Sequence, residues 1–224
     1  MNNLKVVHEN ENFIIFNKPN GLLTHPTNTS NENTLRDFLI KRHPKVLNWG
    51  ESGREGIVHR LDRVTSGLLI CALQENTFES LKNKFKSRDI QKNYVALING
   101  ELPFETGLIN VPLGRSKQNR SKRSVVKNGR ESITKYEVID YSNELNISKI
   151  KLELITGRNH QIRAHMEYMK TPVLNDELYG SLQHGEIPEN AIALHSSFLN
   201  FEFEGKDFEF YVEPPDFFNQ VLDV

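Results

Sequence analysis

The chain has 224 residues, 28 Lys and Arg against 29 Asp and Glu, and a net charge of −1, with 37% hydrophobic and 25% charged residues. That is the size of one large domain or two tightly joined lobes of ordinary globular composition, and no apolar run approaches the roughly 18–20 residues a membrane-spanning helix needs. The single cysteine, Cys71, lies inside an apolar run, which excludes an intrachain disulfide, makes a cysteine-based zinc site implausible and predicts a cytoplasmic setting.

Taken in chain order, Leu4–Val7 and Phe13–Phe16 read as two short strands, with Pro19 and Gly21 turning the chain after the second. A helix is predicted from Thr34 to His43, with Leu35, Phe38 and Leu39 on one face and Pro44 stopping it. The apolar run Leu68 to Leu73 reads as a buried strand, in which Cys71 is a small core residue. Asn76 and Glu79 resemble a capping box opening a helix whose stripe is Phe78, Leu81 and Phe85. Strands are predicted at Tyr94–Ile98 and at Ser148–Ile155, where Ile150, Leu152 and Leu154 alternate with Lys151 and Glu153. A helix follows from Asn159 to Met169, ended by Pro172, and residues 201–210 form a hairpin with alternating aromatic positions. Strands outnumber helices without alternating with them, so the predicted class is α+β with a mainly antiparallel central sheet and flanking helices.

Charge is unevenly spread. From Arg115 to Arg130 the chain carries Arg115, Lys117, Arg120, Lys122, Arg123, Lys127 and Arg130 with no acid among them. This Ser- and Asn-rich run is either a solvated face or a phosphate-contacting loop. A second basic cluster, Lys82, Lys84, Lys86, Arg88 and Lys92, is diluted by Asp89. Asp62 sits between Arg60 and Arg63 and is followed by Thr65, Ser66 and Gly67, just before the apolar strand. A carboxylate so placed stands at the edge of the core, held by cations beside exposed backbone. Alone, such a stretch is more often an Arg–Asp surface pair beside a turn.

The nine residues His59 to Gly67 resemble the HRLD-x-x-TSG signature of the RluA-type RNA pseudouridine synthases. Asn17-Lys18-Pro19-Asn20-Gly21 is similar to that family's NKP-x-G turn, Lys92 to Leu97 to its K-x-Y-x-A strand, and Gly157 to His165 to its GRTHQIR-x-H segment. Asp176-Glu177-Leu178-Tyr179-Gly180 and Leu194-His195 match later blocks, with Asn159 in place of the usual Thr and Asn175 in place of the usual Gly. Short motifs mislead singly, but this ordered set is specific. The resemblance implies the pseudouridine synthase fold over residues 1–224 as a single catalytic domain, since sixteen residues ahead of Asn17 are too few for an S4 RNA-binding domain.

It also implies isomerisation of uridine in transfer RNA or large-subunit ribosomal RNA. In that reading Asp62 is the catalytic carboxylate, Arg163 its orienting cation, and Tyr94 the ring that stacks on uracil and can take the C5 proton. Ile162 would line the base pocket and Arg60 would fill the space left by the flipped nucleotide. Phosphate contacts would fall to Arg158, Arg120, Lys122 and Arg123. The expected partner is structured RNA, with no membrane, no metal or other cofactor, and a monomeric protein. His160 and His165 are five apart on the predicted helix and point in different directions, which argues against a metal pair. Two rivals remain. A glycosidase-like hydrolase needs two acids, and Asp176 is the only contender for the second. A non-catalytic RNA-binding module of the same fold would have no physical reason to keep Asp62, Tyr94 and Arg163 together.

Overall fold

The structure is a computed structural model that describes residues 4–27 and 32–223. Its elements in chain order are β1 (Lys5–Glu9), β2 (Phe13–Lys18), α1 (Leu35–Arg42), β3 (Ser66–Ala72), α2 (Glu75–Ser87), β4 (Gln91–Asn99) and β5 (Thr106–Asn110). There follow β6 (Leu113–Arg115), β7 (Arg123–Val125), β8 (Ile133–Ser142), β9 (Ile147–Leu154), α3 (Gln161–Tyr168), β10 (Leu194–Phe203), β11 (Lys206–Tyr211) and the short α4 (Phe217–Gln220). The class is α+β. Two compact units are distinguished, residues 1–90 with 199–212, and residues 91–198 with 213–224, so that β10 runs through both.

In the first unit β2 lies between β1 and β3, antiparallel to each, with Lys18 opposite Gly67 and Ile14 opposite Cys71. Every residue of β3 is buried, which is why its sequence is a continuous apolar run rather than an alternating one. Phe13, Ile15, Leu68 and Ile70 form a core with Phe78 and Leu81 of α2 and with Phe201 and Phe203 of β10. Phe13 meets Phe201 and Phe208 edge to face, with centroids 5.4 and 5.1 Å away, a favoured aromatic geometry. Burial pushes the Cys71 thiol far above its ordinary range, as its expected place in the core requires. The 201–210 hairpin is present, closed at Glu204 and Gly205, both at positive φ (52° and 76°). That pair gives the primed two-residue turn whose twist suits a hairpin.

In the second unit the strand order is β4-β9-β8-β5, antiparallel throughout, with Tyr94 opposite Leu152. The short strands β6 and β7 make a separate two-stranded ladder in which Arg115 faces Arg123. Periodicity does not predict β5 to β8. In β8 the buried positions are Thr134 and Tyr136 rather than aliphatics, so the alternation with Lys135 and Glu137 carries little hydropathy contrast.

Two helix starts differ from expectation. α2 opens at Glu75 after Gln74, so Asn76 lies inside its first turn, and Asn76 Oδ1 accepts from the next amide, that of Thr77 (2.8 Å), instead of capping toward Glu79. α3 opens two residues later than expected because His160 is in the left-handed region (φ 54°). By contrast α1 begins at Leu35, only one residue after the expected Thr34, which is its N-cap and whose amide and hydroxyl both donate to Asp37 Oδ2.

Candidate active site

The loop that carries Asp62 is built onto the turn after β2, entirely within the first unit. Thr24 Oγ1 donates to the Leu61 carbonyl (2.9 Å) and lies 3.3 Å from the Leu61 amide. Asn20 Nδ2 donates to the Val64 carbonyl, and the Gly21 amide to that of Arg63. Arg63 Nε returns a bond to the Gly21 carbonyl (3.1 Å). Lys18 completes the cradle. Its side chain is fully buried, and Nζ donates to the carbonyls of Pro19 (2.9 Å), Leu22 (2.8 Å) and Arg63 (3.2 Å). Those three acceptors match the three donors of an ammonium. Burial pulls Lys18 down to about 7, opposed by the negative charge of Asp62 and reinforced by the positive charge of Arg63. Asp62 itself is half-buried and its carbonyl accepts from the Thr65 amide (3.1 Å).

The other residues of the signature have visible jobs. His59 stacks on Phe85 (4.4 Å between centroids) and its Nε2 accepts from the Ile70 amide (3.0 Å), tying the loop to β3. Gly67 has φ 112°, a conformation L side chains rarely adopt, at the point where β3 begins opposite Lys18. Arg60 is exposed, with Nη1 3.3 Å from His25 Nε2, and Arg63 pairs with Glu32 (2.9 Å). Of the two flanking arginines, Arg63 thus faces an acid and Arg60 a histidine.

The second unit holds Tyr94, Ile162, Arg163 and Arg158. Tyr94 is buried on β4, and Ile162 is 4% exposed at the start of α3. Arg163 is 5% exposed, and its Nε and Nη2 donate to Oδ2 (2.6 Å) and Oδ1 (2.8 Å) of Asp176, itself 1% exposed. The guanidinium carbon lies 4.9 Å from the centre of the Tyr179 ring. Arg158 Nε donates to the Glu131 carbonyl. His160 Nδ1 meets Tyr179 Oη and His165 Nδ1 meets Thr134 Oγ1, each at 2.9 Å. Burial pushes His165 down to about 4, so it is a neutral core histidine at physiological pH. Among the described residues no group of three or more His, Cys, Asp or Glu side chains could hold a metal ion.

The two departures from the family pattern also find explanations. Asn175 has φ 66°, a conformation Gly adopts freely and Asn tolerates better than most. Its side chain then bonds the carbonyls of Pro188 and Ala191 and the amide of His184. Asn159 Oδ1 accepts from Arg123 Nε (3.2 Å).

The basic run is less uniform than its sequence suggests. The Lys122 ammonium pairs with Glu167 and lies 4.8 Å over the Tyr179 ring, while the Arg123 amide donates to Tyr179 Oη. Lys117, Arg120 and Lys127 are exposed. Lys117 and Lys122 help line an open groove of about 580 Å³ with Ser116, Ser124 and Leu178. The sequence alone does not single out Lys18 or Tyr179, although both lie inside matched motifs. A lysine closing a four-residue apolar strand before a Pro-Gly turn was the available signal for the first.

Comparison with known proteins agrees with these motifs. A family model described as RNA pseudouridylate synthase matches residues 12–168. The ribosomal large subunit pseudouridine synthase D of Borreliella burgdorferi is 36% identical over 213 residues, covering 93% of this chain and 64% of that protein. YlyB of Bacillus subtilis, named as an uncharacterized RNA pseudouridine synthase, is 31% identical, covering 98% and 72%. The chain thus spans roughly two thirds of the length of these curated relatives. A solved human structure, RNA Pseudouridylate Synthase Domain Containing 1, is similar with a TM-score of 0.77 and 27% identity, over 95% of this chain and 84% of that one. Since the matched stretch takes in the cradle, the Asp62 loop, Tyr94 and Arg163, the chain belongs to the RNA pseudouridylate synthase family.

Proposed function

We propose that this chain, working as a single catalytic domain, isomerises uridine to pseudouridine in large-subunit ribosomal RNA. The observation that carries this reading is the Asp62 loop, immobilised residue by residue on the turn after β2. A catalytic carboxylate must be held before substrate arrives, because orientation fixed in advance lowers the barrier. The ribosomal assignment rests on the names of relatives such as the Borreliella protein.

In the proposed reaction the N1–C1′ bond of uridine breaks, the base turns, and C5 joins C1′. C5 gives up a proton and N1 gains one, so no redox partner or group donor is needed. Asp62 attacks the nucleotide, Arg163 orients it, Tyr94 stacks on the uracil and its phenolic oxygen takes the C5 proton, and Ile162 lines the pocket. The target must first be flipped from its stack, at a cost of a few kcal/mol, and exposed Arg60 fills the space it leaves. Mapping pseudouridine in total RNA with and without the gene tests the reading. Loss of one or more ribosomal sites is expected. Loss confined to transfer RNA would move the substrate, and no loss at all would defeat the proposal.

With a net charge of −1, the attraction for RNA must be local. The exposed cations Lys117, Arg120 and Lys127 are the proposed phosphate contacts, rather than Lys122, whose ammonium is engaged by Glu167. Each single-strand phosphate neutralised contributes about −0.7 to the slope of log affinity against log salt. Replacing the three by Ala should therefore flatten that slope by up to about 2 and weaken matched and unmatched RNA alike. An unchanged slope would move the RNA-binding face to the cluster around Lys82, Lys84 and Lys86.

A further inference from the structure

The segment from Asn20 to His25 runs antiparallel to the signature loop and grips it step by step. Asn20 holds the Val64 carbonyl, the Gly21 amide that of Arg63, and Thr24 that of Leu61. One step further, His25 meets Arg60 side chain to side chain, with Nε2 3.3 Å from Nη1. The segment under His25 is fixed from behind as well. The Leu35 amide donates to the Leu23 carbonyl (2.8 Å) and the Arg36 amide to that of Thr24 (3.0 Å).

The partners decide where the ring carries its proton. A guanidinium has five donors and no lone pair, so Nε2 of His25 must accept and is bare. Nδ1 then bears the proton and donates it to the Pro26 carbonyl, 2.9 Å away. The bond from Arg60 exists only while His25 is neutral. His25 is 7% exposed, and burial first of all holds it below the ordinary histidine value. The Pro26 bond opposes this, and the positive charges of Arg60 and Arg54 add to it. Of the elements packed on this segment, β2 brings Lys18, whose Nζ is turned to the carbonyls of Pro19, Leu22 and Arg63. α1 brings Arg36, paired with Glu55 and Asp37, and the signature loop brings Asp62 two residues after Arg60.

A carboxylate would hold Arg60 more tightly, as Glu32 holds Arg63 at 2.9 Å. It would also cancel the charge that draws a guanidinium into RNA. A neutral imidazole fixes the side chain and leaves its charge whole. We propose that His25 is a positioning residue for Arg60, which holds the guanidinium in place while neutral and releases it when protonated. The proposal rests on the reading of Arg60 as the side chain that fills the space left by the flipped nucleotide. A long side chain already held in one place loses less rotamer freedom on insertion than one that starts free in water.

The test follows base flipping and turnover together, in single-turnover reactions on an RNA with 2-aminopurine beside the target uridine. Wild type, His25→Gln, His25→Ala, Arg60→Ala and the His25→Ala, Arg60→Ala double variant are compared across the pH range in which the His25 ring titrates by NMR. Glutamine puts an amide oxygen near the place of Nε2 and accepts a bond throughout that range. Above the titration, His25→Ala should slow flipping by about 3- to 10-fold, and His25→Gln should keep most of the wild-type rate. Through the titration, wild type should fall by a similar factor relative to His25→Gln, since their other titrating groups are the same. Without Arg60, His25→Ala should change little.

Parallel pH profiles for wild type and His25→Gln would overturn the proposal, as would an equal loss from His25→Ala with and without Arg60. An Arg60→Ala protein that flips the base at the wild-type rate would instead sink the reading of Arg60, and the proposal with it. Should His25→Ala fail to fold, the ring of the wild type still decides. Its nitrogen resonances, assigned by their absence in His25→Gln, should place the proton of the neutral ring on Nδ1, and a proton on Nε2 would overturn the proposal.

Discussion

Asp62→Asn should fold as the wild type does, bind RNA with unchanged affinity, and form no measurable pseudouridine. The backbone bonds that shape the loop do not use the carboxylate. They run from Lys18, Asn20, Gly21 and Thr24 to backbone groups of Leu61, Arg63 and Val64, together with the Thr65 amide on the Asp62 carbonyl. An amide of the same size keeps all of these. What it loses is an anionic oxygen that can attack carbon or stabilise the parted sugar and base. Removing an activated nucleophile costs several orders of magnitude in kcat, so a fall of at least about a thousandfold is expected. The measurement is pseudouridine formed under single-turnover conditions, beside a melting curve and a binding isotherm. A variant keeping a tenth or more of the wild-type rate would remove Asp62 from the reaction, and would revive the reading of this chain as an RNA-binding module.

The Asp62 loop was legible in sequence because its neighbours are residues whose chemistry is local. Pro19 and Gly21 announce a turn, Gly67 (φ 112°) announces backbone that other residues avoid, and the run after it can only be buried. What could not be read is anything that depends on a distant partner. Lys122 and Arg120 look alike in the basic run, yet Lys122 is tied to Glu167 forty-five residues later while Arg120 is exposed. Asp176 could be recognised as part of a motif and weighed as a second acid. That it spends both oxygens on Arg163 is a tertiary fact. The same limit explains β8, where burial falls on Thr134 and Tyr136, and periodicity has no hydrophobic contrast to register. Asn175 and Asn159 read as departures from a pattern, and become intelligible only once φ 66° and the bond to Arg123 are seen.

Lys18→Met is expected to destabilise the first unit strongly. Methionine fills nearly the same volume but leaves the carbonyls of Pro19, Leu22 and Arg63 without the donor they now share. Each buried polar group left unsatisfied costs about 1–3 kcal/mol, so a loss of about 3 kcal/mol or more is expected. With a urea slope of roughly 2–3 kcal/mol per M, that moves the midpoint down by about 1 M. Proton linkage separates this cause from a mere packing defect. Lys18 is held near 7 in the folded protein, against an ordinary 10.5. Between those values the unfolded chain therefore binds more protons than the folded one, and stability must rise with pH. The contribution is complete above 10.5 and is lost as pH falls toward 7. Its slope is at most about 1.4 kcal/mol per pH unit. Unfolding wild type and Lys18→Met in urea at a series of pH values across this window should show the slope in the wild type alone, so that the gap between the two proteins widens as pH rises. Parallel pH dependences would mean that Lys18 keeps its proton throughout, held by its three carbonyls and by the charge of Asp62 more firmly than burial can oppose.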